Sequence, residues 1–180
     1  GKYATLRPGG NTQSSDCQPC ARGTYGDQLG LAARTDCKPC TDPTTYCPLQ
    51  SSTPLTANSG YYTVPTGLLP DGTTPLPRED QTICPAGHKC HLGVKLACGA
   101  ANAFSVKGQR ACSPVQTGWY STPEGDTGRS TRTGENVCPL GHFCVGGNKF
   151  KCPPGPYGAT TGITNETCSD FCDPGSICVE

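Results

Sequence analysis

The sequence predicts small disulfide-rich repeats: an elongated array of irregular β-hairpin modules with little or no helix. The 180 residues include 15 cysteines, a fraction at the edge of the range that marks disulfide scaffolds. Leu, Ile, Val and Phe together make up only 25 residues, which is too few for a conventional hydrophobic core. Cysteine motifs also recur along the chain, and such recurrence is typical of repeat proteins.

Composition also narrows the compartment and the partners. The 14 basic and 14 acidic residues cancel, so there is no electrostatic basis for binding nucleic acid. No apolar run approaches the length of a membrane span, and we expect no membrane insertion in this segment. So many thiols fit an oxidising space in which they form disulfides. The predicted location is therefore secreted or on the extracellular face of the cell surface.

Two cysteine pairs leave a zinc alternative open. Cys17-Gln-Pro-Cys20 and Cys37-Lys-Pro-Cys40 have the spacing of a four-thiolate zinc site. The other eleven cysteines contain no second copy of this double pair. Disulfides are therefore the favoured interpretation, and we expect no metal and no cofactor.

Repeats appear in the cysteine spacing. Cys84-Pro-Ala-Gly-His-Lys-Cys90 recurs at 138–144 and again at 172–178. A Gly-x-aromatic motif, as in Gly23-Thr-Tyr25, marks the start of further half-repeats, with an opener cysteine three residues before the glycine. The predicted organisation is a partial half-repeat 1–17, cysteine-rich repeats 18–59, 60–112 and 113–168, and the start of the next repeat at 169–180.

Missing cysteines predict how the others pair. Three residues before Gly60 and Gly118, the opener positions hold Ala57 and Val115, and both half-repeats also lack the later cysteine that would close the loop. If each opener forms a disulfide with the closing cysteine of its own half-repeat, a half-repeat that lacks one of the two should lack both. The predicted pairs are therefore local: Cys20–Cys37, Cys40–Cys47, Cys84–Cys90, Cys98–Cys112, Cys138–Cys144, Cys152–Cys168 and Cys172–Cys178. A staggered alternative, such as Cys90 with Cys112, stays open because sequence alone does not fix connectivity.

Cys17 is left over in this scheme. Its opener would stand before residue 1, so we expect the chain to be one piece of a longer array and Cys17 to be an inter-segment or intermolecular cysteine. The alternative is head-to-tail polymerisation, in which Cys178 of another copy competes for Cys17.

Turn signals predict short strands and two long loops. Gly and Pro together make up 42 residues and leave no sustained helical period. Short strands are predicted at 60–64, 104–106 and 118–121, and the glycine of each Gly-x-aromatic motif is expected at positive φ. The Thr-, Pro- and Gly-rich stretches 65–81 and 123–136 are predicted to be exposed loops.

The run Cys17-Gln-Pro-Cys20-Ala-Arg-Gly-Thr-Tyr25, followed by Gly30 and Cys37-Lys-Pro-Cys40, resembles the ephrin-receptor-like cysteine-rich repeat. More distantly, it is similar to the cysteine-rich modules of tumour-necrosis-factor receptors. The Cys-Pro-x-Gly-x-x-Cys copies resemble the variant found in long surface proteins of algae and other protists. The resemblance implies an extracellular, disulfide-laddered stalk or binding module without enzymatic activity.

Several residues carry modification or turn signals. Asn165-Glu-Thr167 is an N-glycosylation acceptor. Ser and Thr beside Pro, at 51–54, 73–75 and 121–123, resemble O-glycosylated mucin-like sequence. His88 and His142 occupy equivalent repeat positions, so a shared turn role is expected of them.

The leading functional hypothesis is an extracellular structural segment that forms a stalk or glycosylated filament. Its partners would be neighbouring copies or flanking repeats of the same protein, with glycans covalently attached. The alternative is a ligand-binding or adhesive ectodomain of a cell-surface receptor, which would bind a protein ligand through loops such as Leu68-Leu69-Pro70.

Overall fold

The computed structural model describes residues 1–4, 17–124, 131–168 and 170–171. Within these ranges the chain forms nine two-stranded sheets, each joining two strands that are consecutive in sequence. We number the hairpins in chain order. They are hairpin 1, β1 (Lys2–Ala4) with β2 (Cys17–Pro19); hairpin 2, β3 (Thr24–Tyr25) with β4 (Lys38–Pro39); hairpin 3, β5 (Thr45–Tyr46) with β6 (Leu55–Thr56); hairpin 4, β7 (Tyr61–Val64) with β8 (Asp80–Ile83); hairpin 5, β9 (His88–His91) with β10 (Val94–Ala97); hairpin 6, β11 (Ala103–Phe104) with β12 (Ser113–Pro114); hairpin 7, β13 (Trp119–Thr122) with β14 (Gly134–Val137); hairpin 8, β15 (His142–Val145) with β16 (Asn148–Lys151); and hairpin 9, β17 (Pro156–Tyr157) with β18 (Asp170–Phe171).

Helix is nearly absent from the described ranges, where a single 3₁₀ turn spans Arg34–Asp36. The predicted fold class of small disulfide-rich β-hairpin modules is confirmed. The chain divides into two compact units, Gly1–Cys84 with Cys90–Lys95 and Pro85–Lys89 with Leu96–Glu180.

The core of these units is made of cysteine and small residues. Among the described residues, the buried apolar side chains are nine cysteines and Ile163. Leucines are exposed instead, as Leu29 and Leu68 show. Strands of two to four residues present too little surface to bury large aliphatic side chains, so covalent bonds and backbone hydrogen bonds must replace much of the hydrophobic contribution.

Six disulfides close individual hairpins. Sulfur atoms are joined in the pairs Cys20–Cys37, Cys40–Cys47, Cys84–Cys90, Cys98–Cys112, Cys138–Cys144 and Cys152–Cys168. Their Cα atoms lie 5.6–6.1 Å apart, within the usual range for a disulfide. These are six of the seven pairs expected from the sequence, and the seventh, Cys172–Cys178, lies outside the described residues.

Glycine opens most of these hairpins as expected. Gly23 and Gly60 both have φ of 78° and Gly118 has 77°, a region in which an L side chain is disfavoured. Hairpins 3 and 6 were missed as Gly-x-aromatic units because Thr44 and Asn102 stand where the others have glycine.

The prediction of two wholly exposed loops is wrong at their C-terminal ends. Asp80 and Gln81 belong to β8, and Gly134 to Asn136 belong to β14. Arg132 is 3% exposed. The strands form here because their backbones pair with β7 and β13, and this pairing outweighs the turn-forming composition.

Candidate functional site

One structural position recurs in every hairpin and organises the interior of both units. It is the residue that follows the aromatic of the first strand, an aromatic that Lys89 replaces in hairpin 5. We call these residues the column residues. They are all small: Ala4, Gly26, Cys47, Thr63, Cys90, Ser105, Ser121, Cys144 and Gly158. All except Ala4 are buried.

In seven of the nine described hairpins, the backbone N–H of the column residue joins its hairpin to the next one. In the first unit, Thr63 N–H donates to the carbonyl of Gly93 at 2.9 Å, and Cys47 N–H donates to that of Arg78 at 2.9 Å. In the second unit, Ser121 N–H donates to the carbonyl of Gly147 at 2.9 Å. The same bond occurs at Ala4–Leu31, Gly26–Ser51, Ser105–Arg132 and Cys144–Ile163, at 2.7–3.0 Å. Because this contact uses only backbone atoms, it tolerates sequence variation in the loop that accepts it.

Disulfides fill the space beside the column in two ways. In hairpins 3, 5 and 8 the column residue is itself the closing cysteine, bonded to an opener six or seven residues earlier. In hairpins 2 and 9 the closing cysteine lies further along the chain and the column residue is glycine. A Cβ on Gly26 would lie 2.6 Å from Cδ1 of Leu31 and 3.1 Å from Sγ of Cys20, and one on Gly158 would lie 2.7 Å from N of Gly141 and 3.2 Å from Sγ of Cys152. The disulfide and the neighbouring chain together leave no room for a side chain there.

The two hairpins without cysteine carry a hydroxyl at the column, as hairpin 6 also does beside its Cys98–Cys112 disulfide, where the hydroxyl of Ser105 donates to the carbonyl of His88 at 2.7 Å. The buried hydroxyl of Thr63 donates to the carbonyl of Pro43, in the preceding hairpin, at 2.8 Å. The buried hydroxyl of Ser121 donates to the carbonyl of Ala101 at 2.5 Å. Each of these residues therefore bonds the preceding hairpin through its side chain and the following hairpin through its N–H. The sequence signal for this was present but unread, since a hydroxyl residue stands three positions after the glycine in both cysteine-free half-repeats.

Gln81 occupies the position in hairpin 4 that the closing cysteine Cys37 occupies in hairpin 2. Cys37 directly precedes Lys38, the strand partner of Tyr25, and Gln81 directly precedes the strand partner of Tyr62. Gln81 Oε1 accepts a hydrogen bond from the N–H of Asn58 at 2.7 Å.

Hairpin 7 repeats this contact. Glu135 occupies the position that corresponds to Gln81, and its Oε2 accepts a hydrogen bond from the N–H of Gln116 at 2.8 Å. Asn58 and Gln116 directly follow Ala57 and Val115, the two missing openers. In hairpins 4 and 7, hydrogen bonds therefore join the two places where the cysteines of a disulfide would stand.

Arginine completes the cysteine-free hairpins. Nη1 of Arg132 donates to the carbonyl of Ser121 at 3.1 Å, and Nη1 of Arg78 donates to that of Pro65. The Nε atoms of both arginines are buried without a hydrogen-bond partner among the described residues. Beside Arg132 lies a polar cavity of about 290 Å³, also lined by Tyr120, Glu124 and Lys149.

Lysine and tyrosine pack together in both units. Nζ of Lys149 lies 4.8 Å from the ring centroid of Tyr120 and 3.0 Å from Glu124 Oε1. Nζ of Lys95 lies 4.7 Å from the ring centroid of Tyr62. Since the arrangement is repeated, we interpret it as part of the hairpin architecture, where each cation–π contact is worth about 0.5–1 kcal/mol at an exposed site.

Hydrogen bonds and one ion pair lower the pKa of two aspartates. Hydrogen bonds from the Thr74 hydroxyl and from the N–H groups of Thr74 and Thr73 lower the pKa of Asp71 to about 2. At the base of hairpin 2, Lys38 lies 2.8 Å from Asp27. This contact lowers the pKa of Asp27 and raises that of Lys38.

The zinc arrangement considered from the sequence is not assembled. Cys20 is bonded to Cys37, and Cys40 to Cys47, so three of the four proposed thiolates are in disulfides to each other or to Cys47. Cys17 carries no disulfide to a described residue and is partly exposed.

The remaining sequence-predicted residues fall into two groups. Asn165 is exposed, and Thr167 donates to its side-chain oxygen at 2.7 Å. His88 Nδ1 lies 3.2 Å from the carbonyl of Ala86, and His142 Nδ1 lies 2.9 Å from that of Leu140. The two histidines thus make the same turn contact, as predicted.

The prediction for the Ser-Thr-Pro stretch at 121–123 is wrong for its serine. Ser121 is 1% exposed, so its hydroxyl cannot carry a glycan in the folded chain.

No protein-family model matches this chain, and no curated protein is similar to it at a significant level. The resemblance to ephrin-receptor-like repeats therefore stays a prediction. Within the ranges that the structure covers, no helix has the length and apolar character needed to cross a membrane. Small disulfide-rich β-hairpin repeats of this kind fit an extracellular structural or ligand-binding module.

Proposed function

We propose that the chain is an extracellular structural segment that forms a stalk or a glycosylated filament by stacking disulfide-stapled hairpins. The recurring column hydrogen bond carries this proposal. Six hairpins are closed by their own disulfide, with cysteines 6–17 residues apart, and seven join the next hairpin through the backbone N–H of the column residue. Such a joint can be repeated along an array, as in other repeat proteins.

Disulfide density supports the extracellular setting. Closing a loop of about 15 residues stabilises a fold by about 3 kcal/mol in the chain-entropy model. Reduction would remove that stabilisation from six hairpins whose aliphatic core is thin. A compartment that keeps thiols oxidised is therefore the setting in which these repeats are stable.

Small-angle scattering of the oxidised, glycan-free chain tests the structural role. A compact globule of 180 residues has a radius of gyration of about 16 Å. We expect a clearly larger value and a long, asymmetric distance distribution. A monodisperse particle with the globular value would contradict the proposal.

The second candidate is a ligand-binding or adhesive ectodomain. Leu68 favours it, because this side chain is 53% exposed in a loop held by Leu69 and Thr74. Beads coated with the chain would then adhere to cells, and Leu68→Asp would abolish adhesion while Leu29→Asp would not. Equal adhesion by both variants would exclude this loop as the binding surface.

A further inference from the structure

Disulfides decide which parts of a pulled chain can lengthen. When tension is applied to the ends, force passes directly through each S–S bond, and the residues between its two cysteines stay slack. The hairpins closed by Cys20–Cys37, Cys98–Cys112 and Cys152–Cys168 are protected in this way over 14–17 residues. They cannot extend while their disulfides are intact.

Two long stretches lack this protection. Residues 48–83, between Cys47 and Cys84, comprise 36 residues, and residues 113–137, between Cys112 and Cys138, comprise 25. By comparison, 91–97 and 145–151 contain seven residues each. Hairpins 4 and 7 lie in the two long stretches, together with β6 of hairpin 3 and β12 of hairpin 6.

Only non-covalent contacts hold these two hairpins closed. The closing disulfides are replaced by one hydrogen bond between Asn58 and Gln81 and by two between Gln116 and Glu135. Thr63 and Ser121 add their hydroxyl bonds to the preceding hairpins. A hydrogen bond contributes about 1 kcal/mol net, so these joints open under loads that leave S–S bonds intact.

We propose that hairpins 4 and 7 are extensible joints that release chain length under tension and close again when it is removed, an inference that rests on the proposed structural function. At about 3.4 Å per extended residue, the two stretches hold contour lengths of about 120 Å and about 85 Å. No covalent bond breaks when they open, so the lengthening is reversible. The residues enclosed by each disulfide stay shielded from the load throughout.

Force spectroscopy on the whole oxidised chain, held by handles at its two ends, tests this directly. Ala57→Cys with Gln81→Cys installs the missing long-loop disulfide in hairpin 4, because these positions correspond to Cys20 and Cys37, whose Cα atoms are 5.9 Å apart. It shields residues 58–80, which are 23 residues or about 80 Å of contour. Val115→Cys with Glu135→Cys does the same for hairpin 7 and shields 19 residues, about 65 Å.

The matched control is Ala57→Ser with Gln81→Ser, which removes the Gln81 hydrogen bond without adding a crosslink. We expect the control to keep the full lengthening step of hairpin 4 at a lower force, while the stapled variant loses about 80 Å of it. Stretches outside Cys20 and Cys168 lengthen equally in all variants and cancel in the comparison.

Unchanged lengthening in a stapled variant, with the new disulfide verified by peptide mapping, would overturn the proposal. If a variant does not fold, the unmodified chain decides: steps corresponding to 36 and 25 residues support the proposal, and their absence overturns it. Small-angle scattering measures the chain without tension, whereas force spectroscopy measures its lengthening under load. A negative result in force spectroscopy would therefore refute the extensible joints without refuting the proposed structural function.

Discussion

The carbonyl oxygen of Ala101 occupies the space in which a side chain on Gly147 would have to begin. The same carbonyl accepts the hydrogen bond of the Ser121 hydroxyl, and Gly147 itself accepts the N–H of Ser121. Three successive hairpins therefore meet at one point where only glycine fits. Gly93, Pro43 and Thr63 repeat this junction in the first unit.

Gly147→Ala should destabilise the second unit strongly. The adjacent Gly146→Ala is a matched control, because both glycines have positive φ but a Cβ on Gly146 would meet nothing within 4 Å. We expect about 1–2 kcal/mol for the control, from backbone conformation alone. Gly147→Ala should cost at least about 2 kcal/mol more, from overpacking against the Ala101 carbonyl. Equal denaturant midpoints under oxidising conditions would contradict this junction.

Thr63→Val should lower stability because it removes the buried hydroxyl that donates to the carbonyl of Pro43. The expected loss is about 1 kcal/mol, the net contribution of one hydrogen bond. Thr63→Ser keeps the hydroxyl, as Ser121 does in hairpin 7, and should lose less. Urea denaturation of the two variants makes the comparison, and a less stable serine variant would refute the role of the hydroxyl.

The carboxyl of Asp71 should titrate near its folded pKa of about 2. Because this pKa is lowered, its contribution to loop stability is present above the ordinary value near 4. That contribution is lost as pH falls towards 2. NMR titration of the side-chain carboxyl measures the value. Thr74→Ala should raise it clearly, while Thr73→Ala should change it little, since the Thr74 hydroxyl contributes most.

Expression through a secretory pathway should add an N-linked glycan at Asn165, which is exposed. Intact mass before and after enzymatic deglycosylation measures the modification, and Asn165→Gln should abolish it. Glycopeptide mapping should find no sugar on Ser121, whose hydroxyl is buried and hydrogen-bonded. A glycan on Ser121 in folded material would contradict the column arrangement.

Cysteine spacing was a strong guide to local structure because a short covalent loop restricts its own partners. Cys84 and Cys90, with only five residues between them, bring a turn and its closing strand together without reference to distant parts of the chain. Hairpin 4 lacks a cysteine both at Ala57 and at the closing position. This joint absence also indicated that cysteines pair within one hairpin.

Residues whose role depends on another hairpin could not be found in this way. Ser121 belongs to a Ser-Thr-Pro stretch that resembles an O-glycosylation site. Its hydroxyl instead hydrogen-bonds the carbonyls of Ala101 and Gly147, 20 and 26 residues away. Arg132 read as part of an exposed loop, although it is buried against Ser121. The acceptors of both contacts leave no pattern in the sequence, because they are backbone carbonyls that any residue can supply.

The sequence by itself determined the class of disulfide-rich hairpin repeats, since Cys, Gly and aromatic spacing acts within one hairpin. The tertiary structure alone decided how hairpins without disulfides are held. There, the side chains of Gln81 and Glu135 take the place of the closing cysteine, and the hydroxyls of Thr63 and Ser121 bond the preceding hairpin. The physical reason is that a disulfide requires two cysteines, which are visible in the sequence. A hydrogen bond to a neighbouring backbone carbonyl forms only when the folded hairpins are in contact.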